Sequence, residues 1–134
     1  MSSKILSSSL SQQAAMAALS ACTKLGYQVG VAVVDRNGNL LAFVRDPLAG
    51  PHTIELSDKK AFTSASTRVS TRALKNQHTL NFSERLITVK GGLPISIAGY
   101  VYGGIGVSGA TSEDDEVCAQ AGIDAISEEI EFSQ

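Results

Sequence analysis

Residues 28–45 hold the pattern that most narrows the choice of fold: a β-branched run over 28–35, the polar turn Arg36-Asn37-Gly38-Asn39, and a second apolar run over 40–45. Asn-Gly between apolar runs favours a tight turn with positive φ at its centre, and the twist of that turn matches antiparallel strands. Along the first strand Val29, Val31 and Val33 share one face, while Ala32 and Val34 take the other. Both faces are apolar, so helices are expected on both sides of its centre.

The flanking segments read as those helices. Residues 9–25 are rich in alanine, open on Ser9 with Gln12 three residues later, and end before Gly26, which suits a C-terminal cap. The inward stripe would be Leu10, Ala14, Ala17, Ala18, Ala21 and Leu25, and so many small side chains imply a close approach to a sheet. After the breaker-rich loop 46–51, Thr53 is the expected N-cap of a second helix, with Glu55 in its first turn and Ile54, Ala61, Ala65 and Val69 facing inward. The polar stretch 68–84 reads as short helices and loop. Gly91-Gly92-Leu93-Pro94 leads into a second hairpin, 95–98 and 100–108, turning near Gly99. Thr111 or Ser112 then caps a last helix over 113–129, whose apolar positions include Val117, Ala121, Ile123, Ile126 and Ile130. The expected fold is α+β: one domain over residues 1–134, a mainly antiparallel sheet of about five strands with helices packed against it.

Composition excludes several functions. A chain of 134 residues with 43% hydrophobic and 18% charged residues and a mean hydropathy of +0.09 is that of a folded protein able to bury a core without staples. Eleven Lys and Arg against thirteen Asp and Glu give a formal charge of −2 and a pI near 5.6. That balance lacks the basic footprint of a nucleic-acid binder, so no such partner is expected. No apolar run approaches the ~20 residues of a membrane span, and residues 1–10 lack the apolar core of a signal peptide. No membrane partner and a cytoplasmic location are therefore expected. Cys22 and Cys118 lie far apart, without a C-x-x-C or a His at ligand spacing, so each is expected to be a small buried apolar side chain and not a zinc ligand.

Charge is uneven along the chain. Seven basic residues and one acid fall between Lys59 and Lys90, whereas eight acids and no Lys or Arg follow Lys90. Such polarity suggests a homo-oligomer in which the acidic end of one chain meets the basic middle of the next. Two solvated helix faces within a monomer are the plainer alternative.

Gly104-x-Gly106-x-x-Gly109 follows a strand and precedes a helix, as a dinucleotide fingerprint does. No second parallel strand ending in an acid follows it, and the helix opens on Glu113, Asp114, Asp115 and Glu116, which would repel a pyrophosphate. A nucleotide site is therefore rejected. The glycines still require a cause, because seven of the chain's twelve lie between Gly91 and Gly109, where they weaken a strand. Close packing of a helix and a slot for a flat ligand are the two readings. His52 follows a loop stiffened by two prolines and a glycine, near Arg45, Lys59 and Lys60; a neutral imidazole there can ligate iron or move protons. His78 is a weaker candidate. No nucleophile elbow and no nucleophile–base pair can be named from spacing.

Several segments taken in order are the Ala-rich opening helix, Val31-Ala32-Val33-Val34-Asp35 with Gly38, Lys60-Ala61-Phe62-Thr63 and Gly91-Gly92-Leu93-Pro94-Ile95. Gly103-Gly104-Ile105-Gly106-Val107-Ser108-Gly109-Ala110, Asp115-Glu116, Cys118-Ala119 and Ala121-Gly122 follow. Together they resemble one family over nearly the whole chain: the haem-binding or haem-degrading proteins related to GlcG, HbpS and the C-terminal domain of PduO. The resemblance implies an antiparallel sheet layered with helices, assembly into homo-oligomers, and a tetrapyrrole, haem, as cofactor. His52 would be the axial ligand of the iron, with Arg45, Thr53, Lys60, Gly104 and Ser108 completing the haem site. The alternative is an enzyme acting on a small organic acid or aldehyde. There His52 would be the general acid/base, Arg45 or Lys60 would clamp a carboxylate, and Glu116 would be a second proton-transfer group. A non-catalytic accessory or scaffold subunit is the third reading.

Overall fold

The pattern at 28–45 closes into a hairpin. In the computed structural model, which describes residues 5–75 and 83–133, β1 (Gly30–Asp35) and β2 (Leu40–Arg45) pair antiparallel. The turn is held by its own acid: Asp35 Oδ1 accepts the N–H groups of Asn37 and Asn39 at 2.9 and 3.0 Å, and Gly38 takes φ +82°. The second hairpin joins β3 (Gly92–Ile97) to β4 (Tyr100–Ser108) through Ala98 and Gly99, both at positive φ (52° and 80°), as a tight antiparallel connection requires. The strand order is β2-β1-β4-β3, all antiparallel. Four strands stand among the described residues where about five were expected. The chain from Gly92 runs through Pro94 as a single edge strand, where a missing N–H is tolerated.

Helices cover both faces, as the doubly apolar β1 demanded. Val29, Val31 and Val33 join Ile95, Ile105 and Val107 in a core shared with α1 (Ser8–Lys24) and α3 (Ser112–Ser133). Ala32 and Val34 meet Ala61 and Ala65 of α2 (His52–Thr67) on the other side.

The α2 face explains the glycines. Gly106 lies opposite Ala32 and Gly104 opposite Val34, with Gly92 beside Gly106 on the next strand. A Cβ built on Gly92, Gly104 or Gly106 would lie 2.4, 2.2 or 2.2 Å from the backbone carbonyl oxygens of Lys60, Ala61 or Ser57. The α2 backbone therefore rests directly on the sheet, and helix packing, not a ligand slot, fills the space over the ribbon.

That closeness corrects the expected stripes. The buried face of α2 consists of Thr53, Ser57, Lys60, Ala61, Thr63, Ser64 and Ala65, because only small side chains and one threaded lysine fit beneath it, while Ile54 and Val69 are exposed. Thr53 is not the N-cap but lies inside the first turn, which opens at Pro51. Helix α1 starts earlier than expected, with Ser7 accepting the Leu10 N–H at 3.1 Å, and its buried stripe turns to Ser11, Ala14, Ala15, Ala18 and Cys22, leaving Leu25 exposed. Thr111 caps α3 by accepting the Asp114 N–H, and Val117 points outward. The two cysteines are not separate core thiols: Cys22 and Cys118 form a disulfide joining α1 to α3. A separation of 96 residues hides a contact that arises only when the two helices pack side by side.

Two stability effects follow. Gly106→Ala should lower the unfolding free energy by about 3 kcal/mol, because a backbone carbonyl cannot move aside as a side chain would. Reduction of the disulfide should lower it by about 4 kcal/mol, since the bond closes a long loop in the unfolded chain. Urea titrations of the variant, and of wild type with and without dithiothreitol, measure both.

Candidate functional site

The loop 46–51 is pinned by its neighbours. Arg45 Nη1 donates to the carbonyls of Ala49 at 2.8 Å and Asp46 at 3.3 Å, Asp46 Oδ1 accepts the Leu48 N–H at 2.9 Å, and Thr53 Oγ1 donates to the Gly50 carbonyl at 2.7 Å. Thr53 is buried against Gly30, and the sheet register sets Arg45, Gly30 and Ser108 in one row across β2, β1 and β4. His52 stands at the outer corner of this frame. It is the first residue of α2, is exposed, and lays its ring along the Gly50 backbone. Leu48 on the same loop and Ile54 in the same helical turn are 80% and 46% exposed.

The remaining expected site residues lie elsewhere. Lys60 is threaded beneath α2, where its Nζ donates to the Val107 carbonyl at 2.8 Å and to Asp115 Oδ2 at 3.1 Å, and both side chains are almost fully buried. Asp115 Oδ1 also accepts the Ala110 N–H. Burial pushes the Lys60 ammonium below its usual range and the Asp115 carboxyl above its own, and their mutual attraction offsets this only in part. An ammonium so placed is a structural tie, its donors directed at the Val107 carbonyl and Asp115. Glu116 accepts from Arg72 Nε at 3.1 Å. Gly104 lies under Ala61, and Lys60 is eight positions along the helix from His52, about 12 Å at ~1.5 Å per residue. The expected common cavity of His52 and the glycine ribbon does not form, because α2 itself occupies it. His78 lies outside the described residues.

The charge asymmetry is satisfied within the chain. Lys60, Arg72 and Lys90 from the basic middle pair with Asp115, Glu116 and Glu113 at the start of α3. The electrostatic argument for self-association therefore loses these groups to internal bridges.

Sequence reasoning missed a cleft of about 650 Å3 at the opposite end of the sheet, lined by Arg36, Arg68, Tyr100, Tyr102, Leu6 and Leu41 among others. Tyr100-x-Tyr102 beside the hairpin turn was the available signal. The part played by Arg68 depends on how α2 ends in space.

Residues 6–124 match the family described as haem degrading protein HbpS-like. The chain belongs to that family. It is 34% identical over 108 residues to protein GlcG of Escherichia coli K12, covering 74% of this chain and 81% of GlcG. A double mutant of Streptomyces reticuli HbpS superposes with a TM-score of 0.86 at 37% identity, over 94% of this chain and 90% of that one. A PduOC complex with haem superposes with a TM-score of 0.82 at 29% identity, over 91% and 95% of the two chains. The match spans all four strands and most of the helical layers, so the layered antiparallel fold expected of an HbpS-like chain is the one observed.

The buried pair makes stability depend on pH. A carboxyl whose folded pKa lies above its unfolded value favours folding at low pH, and that contribution is lost as pH rises through the folded pKa. Lys60→Met removes the cation facing Asp115, so it should cost about 3 kcal/mol at neutral pH and recover part of that on acidification. Urea unfolding of variant and wild type, repeated at mildly acidic and mildly alkaline pH, tests this; an equal loss at both would contradict it.

Proposed function

We infer that this HbpS-like protein binds haem at the corner formed by loop 46–51 and the start of α2, with the His52 imidazole as axial ligand to the iron. The carrying observation is the state of the side chains able to ligate. Both cysteines are tied in a disulfide, whereas His52 offers an exposed ring on a hydrogen-bonded frame. Among the described residues no group of three or more His, Cys, Asp and Glu could hold a bare metal ion, so a porphyrin's own nitrogens would have to supply most of the coordination. Leu48 and Ile54 give the exposed aliphatic surface that a flat apolar macrocycle would cover. Arg45, with one nitrogen engaged by the loop carbonyls, keeps further donors for a propionate.

Support from relatives is direct in kind: the family is described as haem degrading, and the similar PduOC was solved with haem. When bound, haem would supply redox-active iron. The chain's own residues would hold it, with His52 as ligand and the fixed loop 46–51 orienting that side chain. Thr53 and Lys60 act here by holding Gly50 and the end of β4 in place. The catalytic alternative, His52 working with Glu116, loses support because Glu116 is engaged by Arg72.

Titration with haemin should give a shifted Soret band at one equivalent, and His52→Ala should change both its position and the affinity by about tenfold or more. A Soret spectrum identical in wild type and His52→Ala would remove the ligand assignment. No spectral change in either would remove haem binding.

A further inference from the structure

We propose that the cleft between the β1–β2 turn, the end of α2 and the start of β4 binds a small carboxylate with an aromatic or branched apolar body, its anionic group held between Arg36 and Arg68. A volume of about 650 Å3 lies within the range of small-molecule sites. The haem corner is far away. Helix α2 begins at His52 and Arg68 directly follows its last residue, so sixteen residues at ~1.5 Å each set the two sites about 24 Å apart.

Each arginine is placed for an anion. The Arg36 guanidinium lies over the Tyr100 ring at 4.9 Å and donates from Nη1 to the Tyr100 hydroxyl, so it is oriented by an aromatic ring and not neutralised by a carboxylate. Most of its five donors remain for a ligand. Arg68 caps α2 at φ 64° and ψ 23°, a left-handed backbone that glycine adopts readily and an arginine only with strain. A basic residue at a helix C-terminus is favourable for the dipole alone, but that accounts for the charge and not for an arginine where glycine would be relaxed. Strained backbone of this kind gathers at ligand sites. None of the ion pairs among the described residues involves Arg36 or Arg68.

Asp35, the carboxylate lining the cleft among the described residues, does not cancel them. Asp35 Oδ1 is occupied by the turn amides of Asn37 and Asn39. Two guanidiniums against one carboxylate leave the cleft positive in a chain of net charge −2. Ile5, Leu41 and the edges of Leu6 and Tyr102 supply the apolar wall, Ile5 being 68% exposed, and a bare ion would fill little of a volume of about 650 Å3. A planar fork facing a carboxylate, next to an aliphatic and aromatic wall, selects an aryl or branched alkyl acid over acetate and over a neutral amide.

Benzoate is a suitable probe, with benzamide and acetate as controls lacking the charge or the ring. In two-dimensional 1H–15N NMR titrations of the full chain, benzoate should shift amides of residues 35–41, 68 and 100–102 with millimolar affinity. Benzamide and acetate should bind about tenfold more weakly or not at all. Arg36→Gln and Arg68→Gln should each weaken benzoate by about tenfold. Arg68→Gly provides the folding control: it relaxes the left-handed backbone, so it should be at least as stable as wild type and still lose benzoate affinity. Equal binding of benzamide, wild-type affinity in Arg68→Gly, shifts confined to the His52 corner, or no shift at all would each overturn the proposal. Haemin titration of Arg68→Gly should match wild type, which separates this site from the haem reading.

Discussion

The whole arrangement depends on how closely α2 lies on the sheet. Gly92, Gly104 and Gly106 leave carbonyl groups of Ser57, Lys60 and Ala61 where side chains would otherwise stand. With the backbone that near, the helix can bury only small residues on its inner face, and its larger apolar residues are turned outward. Ile54 becomes exposed beside His52 for this reason. The glycines that resemble a phosphate-binding loop in one dimension are the floor of a helix–sheet contact in three. Each costs strand propensity, and any Cβ in its place would collide with backbone.

The same closeness governs the electrostatics. Lys60 passes under α2 and emerges at the end of β4, where the Val107 carbonyl and Asp115 receive it. Desolvation dominates the titration of both partners, so the pair is better understood as a tie that joins α2 to the start of α3 than as a net source of stability. Arg72–Glu116 and Lys90–Glu113 continue that seam at the surface. The Cys22–Cys118 bond then fastens α1 to α3 on the opposite face. Surface pairs of this kind contribute little, which leaves the buried tie and the disulfide as the contacts that fix the helices to one another.

Exposed polar side chains, His52 and Arg68, are thereby left at the two ends of α2. Its first turn presents an imidazole on a loop whose carbonyls are occupied by Arg45 and Thr53. Its last turn delivers a guanidinium in a left-handed cap beside a second one stacked on Tyr100. The middle of the helix is committed to packing and offers no open surface over the ribbon. The family to which the chain belongs is described as haem degrading.

Local chemistry determined most of the architecture without help. The hairpin at 28–45, the turn at Gly99, the opening and closing helices and the two buried faces of β1 follow from period, turn residues and caps, all of which act over a few neighbours. The motif order from Val31 to Gly122 likewise pointed to the family. Tertiary structure alone decided what those elements bring together. Lys60 reads as a surface cation beside His52 until the fold threads it to Asp115, fifty-five residues away. Cys22 and Cys118 read as separate until α1 and α3 lie side by side. Arg36, Arg68 and Tyr100 share no local pattern and meet only at one end of a sheet. Long-range contacts of this sort depend on the path of the whole backbone, and residue spacing along the chain does not encode that path.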